Sequence, residues 1–344
     1  MKAKVLIAMS GGVDSSVSAV LLKGQGYEVV GATMDLFDNG EKNASRAVVD
    51  ARQVAEQLGI EHHVFDLSRE FREEIIRYFI EEYKQGRTPN PCVRCNRRIK
   101  FGLLAEKGRE LGCESIATGH YALFDGGLLK RGKDTLKDQS YFLYTLYGNT
   151  ILPVLFPAGM LTKAEVRKVA AELNLPNATK EESQDICFIP QGDYVSFLLS
   201  SGIPAQKGPI LDSSGKFLGY HNGIHQYTIG QRKGLGALGS PMFVTRILPA
   251  ENTVVAGPEN ELFSDVLCIR EFIHGPFDIS ADKSYDVQIR YRSAPVKGMI
   301  VSVANEHVIV RFQTPVKAVA PGQSAVLYEN ETVVGGGLIS SFPE

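Results

Sequence analysis

The segment KVLIAMSGGVDSSVSAVLLKGQG, residues 4–26, constrains the fold more than any other part of the chain. Its opening KVLIAM is apolar without alternation, as a strand buried on both faces requires. SGGVDS follows with no spacer, and SSVSAVLLKGQG (15–26) then takes up a helical apolar spacing that ends in glycine. A doubly covered strand leading at once into a helix is the repeating unit of a parallel α/β sheet. The next hundred or so residues repeat it. EVVGATM (28–34) reads as a strand, ASRAVVDARQVAEQLG (44–59) as an amphipathic helix and HHVFDL (62–67) as a further strand. A helix over 69–83, a loop holding two thiols, a helix over 97–111 and the strand SIATGH (115–120) complete the series. Sites in such sheets open at the carboxyl ends of the strands, and SGGVDS, TM and TGH all stand at such ends.

The full length of 344 residues predicts two or three domains at about 150 residues each. Beyond residue 204 the helical periodicity fades. Short β-rich runs replace it: PMFVTRIL, NTVVAG, SYDVQIRYR, MIVSVANEHVIVRF with NEH as a hairpin loop, and SAVLYENETVVGGG. The expected organisation is an α/β catalytic domain over residues 1–200, a small β-containing central domain over 201–270 and a C-terminal β-barrel over 271–344. A content of 44% hydrophobic and 22% charged residues suits a chain with a real core. No apolar run reaches the roughly 18 residues of a membrane-spanning helix, so no membrane partner is expected. The apolar part of MKAKVLIAMSGG is too short for a signal peptide, which points to the cytoplasm. Five cysteines, an odd number, argue against a secreted disulfide framework. A net charge of −2 gives no global attraction to a polyanion. Nucleic-acid contact would have to be local, at RCNRRIK (94–100) or RYR (290–292), and solvated surface charge is the bland alternative for both.

SGGVDS carries the clearest chemistry. Two glycines let backbone approach an anion, hydroxyls add donors, and a helix N-terminus adds unpaired N–H groups. It is not a Walker A loop, because no Lys-Ser/Thr closes a G-x-x-x-x-G frame. S-G-G-x-D-S resembles the PP-loop of the N-type ATP pyrophosphatases, which cleave ATP between its α and β phosphates. That likeness implies ATP with Mg²⁺, positioned with the help of Asp14. GLGALG (234–239) fits a dinucleotide fingerprint but is followed by proline and a strand, so a dinucleotide site is rejected. Around it, HQYTIGQRKGLG (225–236) reads as a mobile loop for a phosphate backbone.

TPNPCVRCNRR (88–98) sets two thiols three residues apart beside arginines. A zinc site would need Cys92, Cys95, Cys113 and His120 together, yet Cys113 opens an apolar strand and suits the core. A thioredoxin-like pair should start a helix after a strand, whereas TPNP suggests an extended approach. Cys187, in ESQDICFIP, is a third thiol in an apolar setting, and Cys268 in VLCIR suits a buried strand. A PP-loop and three such thiols together look like sulfur transfer.

Nearly end to end, the chain resembles the tRNA-specific 2-thiouridylases (the MnmA/TrmU family). The likeness rests on MSGGVDSSVSA, GRTPNPCVRCNRRIKF, ATGHYA, KDQSYFLY, LFPAG, ESQDICFI, YTIGQRKGLG, RYR and PGQSAV. It implies a parallel-sheet ATP pyrophosphatase domain of the adenine nucleotide alpha-hydrolase-like type, a β-rich middle domain and a C-terminal barrel. It also implies replacement of O2 of uridine-34 by sulfur after adenylation with pyrophosphate release. By resemblance Ala8, Met9, Ser10, Gly11, Gly12, Val13, Asp14, Ser15, Met34 and Gly119 hold ATP. Asn90, Pro91 and Cys92 face the target base, and His120, Lys137, Asp138, Gln139, Arg290, Tyr291 and Gln323 contact tRNA. Cys187 receives sulfur as a persulfide from a relay protein or a cysteine desulfurase, and Cys95 acts as nucleophile or resolving thiol. Arg94, Arg97 and the helix beginning near them are expected to lower the pKa of Cys95. Many members carry Asp where this chain has Cys92. The three thiolates Cys92, Cys95 and Cys187 therefore also suit a [4Fe–4S] cluster with one open iron. Two rivals are a PP-loop amidating or ligating enzyme for a small molecule and a non-catalytic RNA-binding protein.

Overall fold

Strand β1 (Lys4–Ala8) lies at the centre of a five-stranded sheet, with Val5, Leu6 and Ile7 fully buried. The computed structural model describes residues 3–37, 45–148, 150–181, 185–189, 192–236, 240–304 and 307–341. Two compact units emerge. The first takes Met1–Ile75, Cys92–Gln184 and Glu331–Val333, and the second Ile76–Pro91, Asp185–Asn330 and Val334–Glu344.

In the first unit, β1 is followed by α1 (Val13–Gly24), β2 (Glu28–Asp35), α2 (Arg46–Leu58) and β3 (Glu61–Asp66). A short α3 (Ser68–Phe71) runs through a π-helical turn, Arg72–Ile76, into α4 (Arg77–Lys84), where the second unit has taken over. The thiol pair lies in α5 (Pro91–Cys95), which continues as a π-helical stretch, Asn96–Leu103, and then α6 (Leu104–Glu110). β4 (Ser115–Ala117), the hairpin β5 (Ala122–Asp125) and β6 (Leu128–Arg131), β7 (Val154–Leu155) and α7 (Lys163–Glu172) follow. The strand order is β3-β2-β1-β4-β7, and every pairing is parallel. β1 leads to β2 on one side and has β4 on the other, so the order reverses there. A doubly wound sheet opens its crevice at that switch point. One sheet face is covered through Val5, Ile7 and Met9 against Ala19 and Leu22 of α1 and Ala51 and Val54 of α2.

The inner strands agree with the sequence pattern because β1, β2 and β4 are apolar and buried over most of their length, whereas β3, EHHVFD at the sheet edge, is only half-buried. The thiol segment does not agree: it is helical, and the helix begins at Pro91 instead of near residue 97. Proline lacks only an N–H that has no partner in a first turn, and its fixed φ suits that position. The extended approach is confined to the residues before it. The thiol pair thus starts a helix, as a thioredoxin-like pair does, but α4 and not a strand precedes it.

In the second unit, α8 (Tyr194–Ser200) starts at Asp193, whose carboxylate accepts from Ser196 N at 3.0 Å. β8 (Gly208–Leu211), β9 (Phe217–His221), β10 (Phe243–Leu248) and β11 (Thr253–Gly257) form a sheet in the order β10-β11-β8-β9. β12 (Phe263–His274), β13 (Ser284–Gln288), β14 (Val296–Ala304), β15 (His307–Lys317), β16 (Ser324–Glu329) and β17 (Thr332–Ser340) form the C-terminal sheet. Its order is β12-β15-β14-β13-β16-β17, and β12 also pairs with β17, which closes a six-stranded barrel. Leu267, Ile269, Val287, Ile300, Val310 and Leu327 point into its core. Ala304 pairs with His307, as the NEH hairpin requires; residues 305–306 lie outside the described set.

Candidate active site

The SGGVDS turn occupies the switch point. β1 ends at Ala8, Met9 still bonds across the sheet to Ala32 O at 2.7 Å, and Ser10 is exposed. Gly11 has φ +68°, a left-handed value that a side chain would strain. Ser15 Oγ accepts from Ser10 N at 3.2 Å and donates to Gly12 O at 3.0 Å, and Ser16 Oγ donates to Gly12 O at 3.1 Å. The hydroxyls of Ser15 and Ser16 therefore brace the turn from inside, while Ser10 faces out. Gly119 follows β4 so closely that a Cβ there would lie 2.6 Å from Ser15 N and 2.8 Å from Asp14 C. Its role is to let two backbones meet at the crevice. Met34 is the penultimate residue of β2, on the same edge of the sheet.

Side chains that sequence reasoning missed hold this turn. Lys163 Nζ and Tyr121 OH both donate to Asp14 Oδ1 at 2.6 Å. Asn177 Nδ2 donates to Gly11 O at 3.1 Å and Ser16 Oγ at 2.9 Å, and Lys180 Nζ donates to the same Gly11 O at 3.1 Å and to Asp50 at 2.5 Å. These partners lie more than a hundred residues downstream, beyond any local pattern. One local signal does exist: TKAE forms a capping box, with Thr162 N to Glu165 Oε2 at 2.6 Å and Glu165 N to Thr162 Oγ1 at 3.3 Å. It fixes the helix start that carries Lys163.

Cys92 stands in the first turn of α5 with its side chain exposed, and Cys95 is buried one turn on. Desolvation by the surrounding protein pushes the Cys92 thiol up, and the Lys100 ammonium pulls it partly back. The expected activation of Cys95 by Arg94 meets a competing use. Arg94 Nε donates to Glu74 O at 2.7 Å and its Nη2 to the Glu74 carboxylate at 2.9 Å. Arg97 is exposed. His120 accepts or donates at Nδ1 with Thr118 Oγ1 at 2.7 Å and lies edge-on to Phe156. Burial, followed by the field of Lys100, holds its pKa well below 6.5, so it is neutral at pH 7. Lys100 is thus a cation felt by both Cys92 and His120, and sequence reasoning gave it no role.

Several residues expected to contact tRNA are committed inside the protein. Asp138 is buried and accepts from Gly132 N, Ser140 N, Ser140 Oγ and Arg131 Nη1 at 2.8–3.1 Å. Gln139 exchanges two bonds with the Tyr121 backbone, at 2.8 and 3.0 Å; Lys137 beside it is half-buried. In the second unit, Arg290 Nη2 donates to Ala318 O at 2.6 Å and Ile229 O at 3.3 Å. Tyr291 and exposed Arg292 sit on the β13–β14 turn, which Gln288 pins through Arg290 O and Tyr291 O. Gln323 Nε2 donates to Thr88 O at 2.9 Å and Pro89 O at 3.3 Å, next to Asn90. Cys187 is exposed, and its neighbour Phe188 is anchored on Phe79 and Phe197, each at 5.3 Å. HQYTIGQRKGLG is braced internally: Tyr227 OH donates to Gly234 O, and Gln231 Nε2 to Gln226 O and Lys233 O. Arg232 and Lys233 project from it, exposed; residues 237–239 of GLGALG lie outside the described set.

Residues 3–191 match the family described as the tRNA methyl transferase HUP domain, 196–258 its PRC-barrel domain and 271–339 the aminomethyltransferase beta-barrel domain. A tRNA-specific 2-thiouridylase MnmA of Caldicellulosiruptor saccharolyticus is 46% identical over 356 residues, covering 98% of this chain and 99% of its own. The chain belongs to the tRNA-specific 2-thiouridylase family. Members from Halothermothrix orenii (44% identical) and Acidithiobacillus ferrooxidans (43%) each cover 98% of this chain and 98% of their own length. The 2-thiouridylase likeness therefore spans both units.

Among the described residues no group of three His, Cys, Asp or Glu side chains is placed to hold a metal ion. Neither the Cys92, Cys95 and Cys187 grouping of a [4Fe–4S] cluster nor the four-ligand zinc set is assembled among the described residues. Cys113 is a core residue at 4% exposure, and Cys268 is buried in β12. For Mg²⁺ brought in on ATP, Asp14 is the acidic side chain at the turn, with Lys163 and Tyr121 both on its Oδ1. No helix among the described residues is long and apolar enough to cross a membrane.

Proposed function

We propose that this chain catalyses ATP-dependent 2-thiolation of uridine-34 in tRNA. The observation that carries the reading is the SGGVDS turn at the switch point of the parallel sheet, in the same unit as the helix bearing Cys92 and Cys95. Ala8–Ser15 with Met34 and Gly119 receive ATP: backbone N–H groups of the turn and the start of α1 face its phosphates. Uridine O2 attacks the α-phosphorus, the bond to the β-phosphate oxygen breaks and pyrophosphate leaves. O2 is then an AMP ester, a leaving group that sulfur can displace from C2. Mg²⁺ screens the phosphate charge and meets the turn at Asp14.

Sulfur arrives as a persulfide on Cys187, supplied by a relay protein or cysteine desulfurase. Its terminal sulfur attacks C2 and expels AMP. Cys95 then attacks the sulfur of Cys187, releasing thiolated base and leaving a disulfide that an external thiol reduces. Asn90, Pro91 and Cys92 border the target base. Contact with tRNA falls to Lys137, His120, Tyr291 and the exposed cations Arg232, Lys233 and Arg292, with Asp138, Gln139 and Arg290 shaping the surface from behind. The division at residues 200 and 270 separates catalytic, central and tRNA-contacting parts on this reading.

Digestion of tRNA after incubation with ATP, protein and a persulfide donor, followed by mass spectrometry of nucleosides, tests the proposal. Wild type should form 2-thiouridine. Cys95→Ser and Cys187→Ser should form none while still releasing tRNA-dependent pyrophosphate. Full activity of Cys95→Ser would sink the relay, as would activity that tracks iron and acid-labile sulfide content.

A further inference from the structure

Four contacts latch the segment leading into the target-base residues onto Thr228, Pro321 and Gln323 of the same unit. Gln323 Nε2 donates to Thr88 O and Pro89 O, Thr88 N donates to Pro321 O at 2.8 Å, and Thr88 Oγ1 donates to Thr228 Oγ1 at 3.0 Å. Carbonyl oxygens only accept, so the atom of Gln323 facing them must be its amide nitrogen. The base of the latch is firm: Ile339 N donates to Gln323 O at 2.8 Å and Gly322 N to Ile339 O at 3.0 Å, tying Gln323 to β17. At the other end Arg87 is paired with Glu82 of α4, its Nε 2.7 Å from Oε2. Residues 87–90 have no regular secondary structure of their own, so these bonds set their path. Asn90 and Pro91 follow directly, and Cys92 is one peptide bond further on.

We infer that Gln323 is a positioning residue for the thiolation reaction: it sets the path of residues 88–91, and through chain continuity the placement of Asn90, Pro91 and Cys92 at the target base. It does this as part of the barrel, the portion that the proposed function gives to tRNA contact, on which the inference rests. A donor spent on two internal carbonyls is not available to RNA. The barrel's grip on tRNA and the setting of the base-facing segment thereby share one side chain.

The experiment compares wild type with Gln323→Glu, which keeps the size but offers only acceptors to the two carbonyls, and with Gln323→Ala. Saturating thiolation rate, tRNA Kd and, without tRNA, backbone hydrogen exchange of peptides spanning 86–95 are measured. Both variants should lose about tenfold in rate, since small misplacements of reacting groups are costly. They should exchange faster at Thr88 and Asn90, the two amides of the stretch 88–91, and keep tRNA Kd within about twofold. A tRNA Kd raised with exchange and saturating rate unchanged would make Gln323 a plain RNA contact and overturn the inference. Should both variants fail to fold, Thr88→Val, which removes only the bridge to Thr228, should show the same changes to a smaller degree; unchanged exchange there overturns it. If wild type itself thiolates no tRNA, the functional reading fails, while the exchange arm still decides whether the latch exists.

Discussion

Lys163 and Asp14 are 149 residues apart in sequence and 2.6 Å apart in space. The pair is mostly out of solvent, with side-chain exposures of 11% and 32%, and Tyr121 adds a hydroxyl to the same carboxylate oxygen. A carboxylate at the phosphate turn would repel ATP unless a cation offset it, and Lys163 is that cation. Lys163→Met keeps the stem and removes the charge. Loss of one preorganised donor or cation at a transition state costs about 10²-fold, so tRNA-dependent pyrophosphate release should fall by about that factor, with Lys163→Arg recovering part of it. A release rate equal to wild type would show that Asp14 needs no counter-charge. The turn itself was legible in the sequence because strand, glycines, acid and helix are contiguous. Lys163, Asn177 and Lys180 were not, since what gives them a role is tertiary proximity to Gly11 and Asp14.

Elements behave the same way one level up. The inner strands β1, β2 and β4 could be read from apolar runs, because burial on both faces leaves little room for polar residues, while edge strand β3, EHHVFD, shows only a short apolar centre. The start of the thiol helix is harder to read, because a proline disfavours helix in the residue before it yet suits a first helical turn itself, and Pro91 takes the second role. That start puts Cys92, not Cys95, in the first turn. At the meeting of β4's end with the turn after β1, Gly119 leaves no space: its Cβ would touch backbone atoms of Asp14 and Ser15. Backbone cannot swing aside as a side chain can. Gly119→Ala should therefore destabilise the fold by about 1–3 kcal/mol, as overpacking does, and weaken ATP binding in the same variant. Denaturant unfolding and nucleotide titration measure the two effects; a variant stable and tight for ATP would mean the turn is softer than its bracing by Ser15 and Ser16 suggests.

Across the whole molecule, His62, His120, His221 and His225 all have their pKa held below 6.5, in each case chiefly by burial. Once unfolded, each would bind a proton near 6.5. Below that pH the unfolded chain carries more protons than the folded one, so stability falls as pH falls. Above it these groups contribute no pH dependence. The urea midpoint should thus be flat between about pH 7 and 8 and drop between about pH 6.5 and 5, less steeply in His120→Gln. A midpoint that rises on acidification would contradict neutral burial of these rings.

The polypeptide enters the second unit at Ile76, leaves it at Cys92 and returns at Asp185. No cut at one point of the chain can therefore isolate the nucleotide-gripping part intact. A fragment stopped near residue 200 would keep both cysteines of the helix but strip Thr88 and Pro89 of Thr228, Pro321 and Gln323. Interleaving of this kind makes the barrel an inseparable component, and any graft of its strands onto another scaffold would have to carry residues 76–91 along.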